Sequence, residues 1–254
     1  MYINGYAASV NTIHFKVFTA RELQIIANGK RGVLFHHQLE QVFDNYGYPL
    51  TQNQIEQLVL YSVELQRWNH HINLTTINED VDVIYKHFLD SVSVLEHCII
   101  EEEHNLIDIG TGAGFPGVVL KIYIPNIRLT LVEASHKKVA FLKYLISQLG
   151  MDSSVQVLPE RAEICAETDT YRNAYDWVMT RYVASLAKSV KYCLPLLNET
   201  GRWVAYKSNE TDVEIQESES ALKEHSGKIE DIHDSRIALL NRSYIIIRRL
   251  GNGI

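Results

Sequence analysis

Asp108-Ile109-Gly110-Thr111-Gly112-Ala113-Gly114-Phe115-Pro116-Gly117 is the stretch from which the rest of the chain is read. It follows Leu106-Ile107-Asp108-Ile109, a short apolar run that halts at glycine, as a strand end does. The residues after it are helical in character to Tyr123, and Pro125 stops them. A glycine loop between strand and helix lets the backbone turn sharply and approach a ligand closely. The same grammar repeats downstream. Strands are predicted over 128–132, 155–157, 177–179, 202–206 and 243–249. Helices are predicted over 136–149, closed by Gly150, over 184–196, and over the acidic stretch 212–225. Strands alternating with helices predict an α/β fold, a parallel sheet with helices on both faces.

Upstream the pattern is helical. Thr51 can cap a helix with apolar Ile55, Leu58, Val59, Leu65, Trp68 and Ile72, a stripe interrupted by Ser62. A second run carries Ile84, Phe88, Val92, Leu95 and Ile99 and ends at Glu101-Glu102-Glu103. Residues 1–35 hold two glycine breaks, Asn28-Gly29 and Arg31-Gly32. This divides the chain into an extension (1–35), an N-terminal helical cap (36–103) and a ligand-binding domain (104–254).

The glycine loop fits two ligand patterns. Gly110-x-Gly112-x-Gly114 is that of S-adenosylmethionine sites, and Gly112-x-Gly114-x-x-Gly117 that of dinucleotide sites. Charge separates them. A dinucleotide sets its pyrophosphate at the helix N-terminus, where Asp108 repels it. S-adenosylmethionine carries a sulfonium and an ammonium, which an acid at the strand end suits. Glu133, at the end of the next strand, is placed to accept from ribose hydroxyls under either reading. A glycine turn that merely packs helix on sheet is the third possibility. The donor reading therefore expects Asp108, Gly110, Gly112, Gly114 and Glu133 at the site.

Composition bounds the remainder. The chain has 254 residues, 46% hydrophobic and 22% charged, as a globular protein does. It holds no run of 18 apolar residues, and Met1 to Val10 lacks a basic stretch followed by an apolar one, so neither a membrane span nor a secretory signal is expected. Cys98, Cys165 and Cys193 form no CxxC pair, which argues against zinc ribbons and disulfides and for the reducing cytoplasm. The net charge of -7 excludes attachment to nucleic acid by bulk positive charge, though not by a local basic face. Adjacent histidines point to different helix faces, so His36-His37 and His70-His71 are not expected to chelate, and no metal is expected. Trp68 and Phe88 lie on apolar stripes and read as core.

Five strings, in order, resemble the small-subunit ribosomal RNA methyltransferase G family, also called glucose-inhibited division protein B. Trp68-Asn69 with Asn73-Leu74-Thr75 resembles "WN…NLT", and His87-Phe88-Leu89-Asp90-Ser91 matches "HFLDS". Gly110 to Gly117 matches "GTGAGFPG", Lys137 to Leu142 resembles "KRVAFL", and Thr180 to Leu186 resembles "SRAFASL". The resemblance spans roughly residues 58–207. It implies the class I S-adenosylmethionine-dependent methyltransferase fold, Rossmann-like, with an N-terminal helical extension. It implies donor binding at Gly110, Phe115, Ala162, Glu163 and Arg181, and methylation of a guanine N7 in 16S ribosomal RNA or the small ribosomal subunit. The sequence departs from the family pattern at Glu133 (commonly Asp), Lys138 (commonly Arg) and Ser208 (commonly Gly).

The residues suit that chemistry. Guanine N7 carries a free lone pair at neutral pH, so its methylation needs alignment rather than a general base. The Asn/Asp-Pro-Pro-aromatic string that accompanies methylation of exocyclic amines is missing, and Met179-Thr180-Arg181-Tyr182 stands in its place. No cysteine sits in the Pro-Cys context of a pyrimidine C5 methylase. Arg181 can orient a guanine or a phosphate, or form a structural ion pair. Arg161 can be a phosphate contact or a surface charge. Lys137 and Lys138 read by default as a solvated helix face, and with Arg161 and Lys207 they are the candidates for RNA contact. Residues 121–207 carry 12 Lys/Arg against 8 Asp/Glu, so this segment is expected to face RNA. Residues 210–234, with nine acids against Lys223 and Lys228, are expected to point away or to meet a protein. The competing readings are a methyltransferase for a different substrate, a donor-binding RNA or ribosome interaction module without turnover, and a nicotinamide oxidoreductase.

Overall fold

The computed structural model describes residues 30–209 and 211–250. Helix α1 (Lys30–Asn45) runs through Arg31-Gly32, so no break occurs there, and the boundary drawn at 35/36 falls within this helix. A helical glycine costs about 1 kcal/mol relative to alanine, which the burial of Phe35, Leu39 and Phe43 outweighs. Asn28-Gly29 lies outside the described residues. Helix α2 (Gln52–Ile72) starts at the expected cap. Thr51 and Gln54 form a capping box, in which the Thr51 amide donates to Gln54 Oε1 at 2.8 Å and the Gln54 amide to Thr51 Oγ1 at 3.4 Å. Ser62 is buried along with Ile55, Leu58, Val59 and Leu65, so it belongs to the inward stripe rather than interrupting it.

The second helical run is not one α-helix. It passes from α3 (Asp80–Val83) through a π-helical segment, Ile84–Leu89, to α4 (Asp90–Val92) and a 3-10 turn, Ser93–Glu96. The run stops at Glu96, and Ile99, expected on its apolar stripe, is 79% exposed beyond its end.

The remaining elements are β1 (Asn105–Ile109), α5 (Gly117–Tyr123), β2 (Arg128–Val132), α6 (His136–Gln148), β3 (Val155–Leu158), α7 (Ala162–Glu167), β4 (Tyr175–Arg181), α8 (Leu186–Cys193), β5 (Leu197–Ser208), α9 (Asp212–Glu224), β6 (Gly227–Asp234) and β7 (Arg242–Arg249), of which α7 and β6 were not predicted. The sheet order is β3-β2-β1-β4-β5-β7-β6. β1 to β5 pair in parallel, but β7 is antiparallel to both β5 and β6, so the wholly parallel sheet expected from the alternation is corrected to a mixed one. The difference lies in β6, which carries no strand signal in the sequence. Its residues, Gly-Lys-Ile-Glu-Asp-Ile-His-Asp, are mostly polar and largely solvated because it is an edge strand, and charge there blunts pairing with other chains.

Neighbouring residues along each strand enter opposite cores. Leu106, Leu129, Leu131, Val204 and Tyr206 face one core, which α1, α2 and the run 80–96 share with α5 and α6. Ile107, Ile109, Val132, Trp203 and Ala205 face the other, closed by α7, α8 and α9. The strand order reverses between β1 and β4, so the loops leaving β1, β2 and β4 meet at one sheet edge. This is where open α/β sheets bind ligands.

Candidate active site

The loop after β1 is braced from beneath by Asp108. Its carboxylate is fully buried, and Oδ2 accepts from the Thr111 hydroxyl at 2.6 Å and from the Gly117 amide at 2.8 Å. Oδ1 is buried without a partner. Burial pushes the Asp108 carboxyl up to about 6, against the pull of those two bonds. Glu133, just past β2, accepts from the Gly112 amide at 3.0 Å and from the Ser135 amide at 2.8 Å. It thereby ties the loop to the next strand end. A Cβ on Gly112 would meet nothing nearer than the Gly110 carbonyl at 3.9 Å, so this glycine opens onto free space.

The cap supports the loop from the side. The Tyr61 hydroxyl donates to the Ala113 carbonyl at 2.6 Å, and its ring lies nearly parallel to Phe115, 5.0 Å between centres. His87, from the π-helical segment, lies parallel to Phe115 at 4.3 Å. Its Nε2 is 2.9 Å from Thr75 Oγ1. Burial first, and then the Arg181 charge, push the His87 imidazole down to about 3, so it is neutral at physiological pH. Asn69 accepts from the Thr75 amide at 2.9 Å and donates to the Thr75 carbonyl and to Asn78 Oδ1, both at 2.8 Å.

Arg181, the last residue of β4, is buried and salt-bridged to Asp90, Nη1 to Oδ2, at 2.6 Å. Its guanidinium also lies 5.2 Å from the centre of the Phe115 ring. Asp90 is shared: Arg242 of β7 donates to Oδ1 at 2.8 Å and to Oδ2 at 3.1 Å. Arg181 is thus an ion-pair partner, one of the two readings its sequence left open, and it also lines the cleft.

These residues surround a cleft of about 1140 Å3. Of the sequence candidates, Gly110, Gly112, Phe115, Lys138 and Arg181 line it, with Glu133 bonded behind Gly112. Gly114 does not. A Cβ there would run into Tyr61 Oη at 2.7 Å and Val118 Cγ2 at 2.8 Å, so its constraint is packing. Asp108 lies beneath the floor. Arg161 and Glu163 are exposed and Ala162 half-buried at the start of α7, which follows β3 alongside β2. Lys137 is exposed on α6. Lys207 is engaged elsewhere, since its ammonium meets Glu214 at 2.6 Å and the Ala184 carbonyl at 3.0 Å. Asn69, Asn73, Thr75, His87 and Tyr182, none of them a sequence candidate, also line the cleft. Their one sequence signal was membership of the "WN…NLT", "HFLDS" and "SRAFASL" strings. None of the described residues lining the cleft is an acid, and no described cluster of His, Cys, Asp or Glu could hold a metal ion.

A mixed seven-stranded sheet with a glycine loop after β1 and an acid after β2 defines a class I S-adenosylmethionine-dependent methyltransferase. Solved structures share this fold. One is geranyl diphosphate C-methyltransferase from Streptomyces coelicolor A3(2), solved with S-adenosyl-L-homocysteine, at a TM-score of 0.53 and 12% identity over 75% of this chain and 98% of that one. Another is an S-adenosylmethionine-dependent O-methyltransferase from Thermotoga maritima, at a TM-score of 0.51 and 16% identity over 65% and 67%. The model of the family GidB, rRNA small subunit methyltransferase G, matches residues 54–241. The ribosomal RNA small subunit methyltransferase G of Alkaliphilus metalliredigens (strain QYMF) is 38% identical over 80% of this chain and 86% of its own length. That of Roseiflexus sp. (strain RS-1) is 38% identical over 81% and 87%. The chain belongs to the ribosomal RNA small subunit methyltransferase G family, and S-adenosylmethionine is its methyl donor.

Proposed function

We propose that this protein transfers a methyl group from S-adenosylmethionine to N7 of a guanine in 16S ribosomal RNA, in the cytoplasm, acting on the RNA or the small ribosomal subunit. The observation that carries the N7 reading is the cleft lining: Lys138 and Arg181 supply cations, Asn69, Asn73 and Thr75 supply neutral polar groups, and no described lining residue is an acid. Such a wall suits an electron-rich, already unprotonated acceptor on a polyanion. It offers no carboxylate base to deprotonate an amine or hydroxyl, and His87, pushed down to about 3, is a weak base.

The donor pocket fits the cofactor. Free space above Gly112 admits close approach of its backbone to a ligand, and Glu133 is poised to accept from ribose hydroxyls. Asp108 Oδ1, buried and unpartnered, supplies negative potential beneath. Gly110, Phe115, Ala162, Glu163 and Arg181 complete the proposed donor contacts. When bound, the donor supplies an electrophilic methyl on a positively charged sulfur. The protein's part is to hold N7 in line with that methyl at about 3–3.5 Å, a catalysis of position, with Arg181 orienting the base.

The test is incubation with labelled donor and small subunits from a strain lacking this mark, followed by mass-spectrometric mapping of the RNA. One 7-methylguanosine is expected, whereas a methyl at an exocyclic amine, a ribose or a carbon would refute the reading. With no base acting, log kcat in single turnover is expected to be flat above about pH 7, and a slope of one there would expose a base.

A further inference from the structure

Tyr182 is an aromatic side chain that neither core uses. It is 81% exposed, it lines the cleft, and its φ of +54° lies in the left-handed region that side-chain-bearing residues avoid. Its hydroxyl accepts from Arg242 Nη2 at 2.9 Å. The guanidinium of Arg242 lies 5.0 Å from its ring centre, and that of Arg181 lies 6.0 Å away. Both arginines are locked on Asp90, so the ring is fixed at the mouth of the cleft. Phe115 cannot serve as a platform, because it is buried and parallel to both Tyr61 and His87. Of the described Phe, Tyr and Trp residues lining the cleft, Tyr182 alone offers exposed ring surface.

A guanine that enters a cleft to present N7 leaves its stack in the RNA, and proteins that read such unstacked bases supply an aromatic face in exchange. We propose that Tyr182 stacks on the acceptor guanine and sets its plane beside Arg181. This rests on the reading that an RNA guanine is the acceptor. Stacking is indifferent to the donor, so the contribution belongs to the RNA side alone.

The experiment compares wild type with Tyr182→Ala, Tyr182→Leu, Tyr182→Phe and Tyr182→Trp in methylation of unmodified small subunits, beside S-adenosylhomocysteine affinity and thermal melts. Loss of one stacked base is expected to lower kcat/KM for subunits by about tenfold or more in Tyr182→Ala and Tyr182→Leu. Phe and Trp should recover most of it, with donor affinity and melting temperature level across the series. The proposal is overturned if Ala matches wild type, if Leu recovers activity as well as Phe, or if the loss tracks donor affinity or melting temperature. Failure of wild type to methylate the subunits would instead bring down the acceptor reading itself, and this proposal with it.

Discussion

Gly112 and Gly114 both stand at positive φ, +63° and +103°, but their missing side chains matter for different reasons. Space above Gly112 is empty, whereas Gly114 is enclosed by Tyr61 and Val118. Gly112→Val is therefore expected to weaken S-adenosylhomocysteine binding at least tenfold by calorimetry while the protein still folds. Gly114→Ala should act chiefly on stability, since overpacking of about 1–3 kcal/mol lowers the melting temperature by roughly 2–12 °C. Donor affinity in a folded Gly112→Val equal to wild type would place the donor elsewhere. Asp108 makes a pH prediction. Its carboxyl is raised on folding from 3.8 to about 6, so the folded state favours the protonated form. The resulting stability is full below about pH 4 and is lost as pH rises through about 6. Asp108→Asn cannot titrate there. The stability of wild type relative to this variant, from denaturant midpoints, is expected to fall by about 1–2 kcal/mol between pH 5 and 7.5. His87, with its imidazole lowered, works in the opposite direction and cancels because both proteins carry it.

Three elements meet at Asp90: the end of the π-helical segment, β4 through Arg181, and β7 through Arg242. A π-turn is frequent at functional sites, and here the same segment provides His87 against Phe115 and leads directly into Asp90. Arg181→Lys keeps the charge but loses the fork that reaches Asp90 while the guanidinium lies against Phe115. Single-turnover methylation should fall at least tenfold, because a charged hydrogen bond contributes about 1.5–3 kcal/mol. The melting temperature should fall as well, since the partner carboxylate is buried. Asp90→Ala leaves two buried guanidiniums unpaired, and its cost of about 3–5 kcal/mol should make it the less stable variant. Near-wild-type turnover by Arg181→Lys would reduce Arg181 to a structural role.

Over the whole molecule the charge is divided. The basic segment 121–207 brings Lys137 and Arg161 to the surface on the helices that follow β2 and β3, but Lys207 is spent on Glu214. Glu214 also accepts from the Leu186 amide at 2.7 Å, so this acid of α9 fastens α8 to the end of β5. Lys137→Glu with Arg161→Glu is expected to weaken subunit binding and flatten its log–log salt dependence by about 0.7–0.9 per lost phosphate contact, with donor affinity unchanged. Lys207→Gln should lower the melting temperature and leave the salt slope alone. Equal salt slopes for the double variant and wild type would remove Lys137 and Arg161 from the RNA face.

The sequence by itself determined what is local. The glycine loop, the capping box at Thr51, the strands β1 to β4 and the helix α6 closed by Gly150 are each specified by residues within a few positions of one another. Gly110, Gly112 and Glu133 were local candidates for the same reason, since each sits just past a strand end, while Phe115 came from the family resemblance; the fold brings all four to the cleft or directly behind it. Only the tertiary structure decided the contacts that join distant segments. Edge strand β6 has no apolar alternation to betray it, so the antiparallel insertion of β7 was invisible. Asp90 and Arg242 are 152 positions apart, Tyr61 and Ala113 are 52, and no periodicity announces such partners. Nor could spacing tell the encumbered Lys207 from the free-standing Lys137, or Gly114 closed in by Tyr61 from Gly112 open to the cleft. Hydrogen bonds and packing between remote segments exist only once the sheet has formed, so the lining of the cleft was settled by the fold.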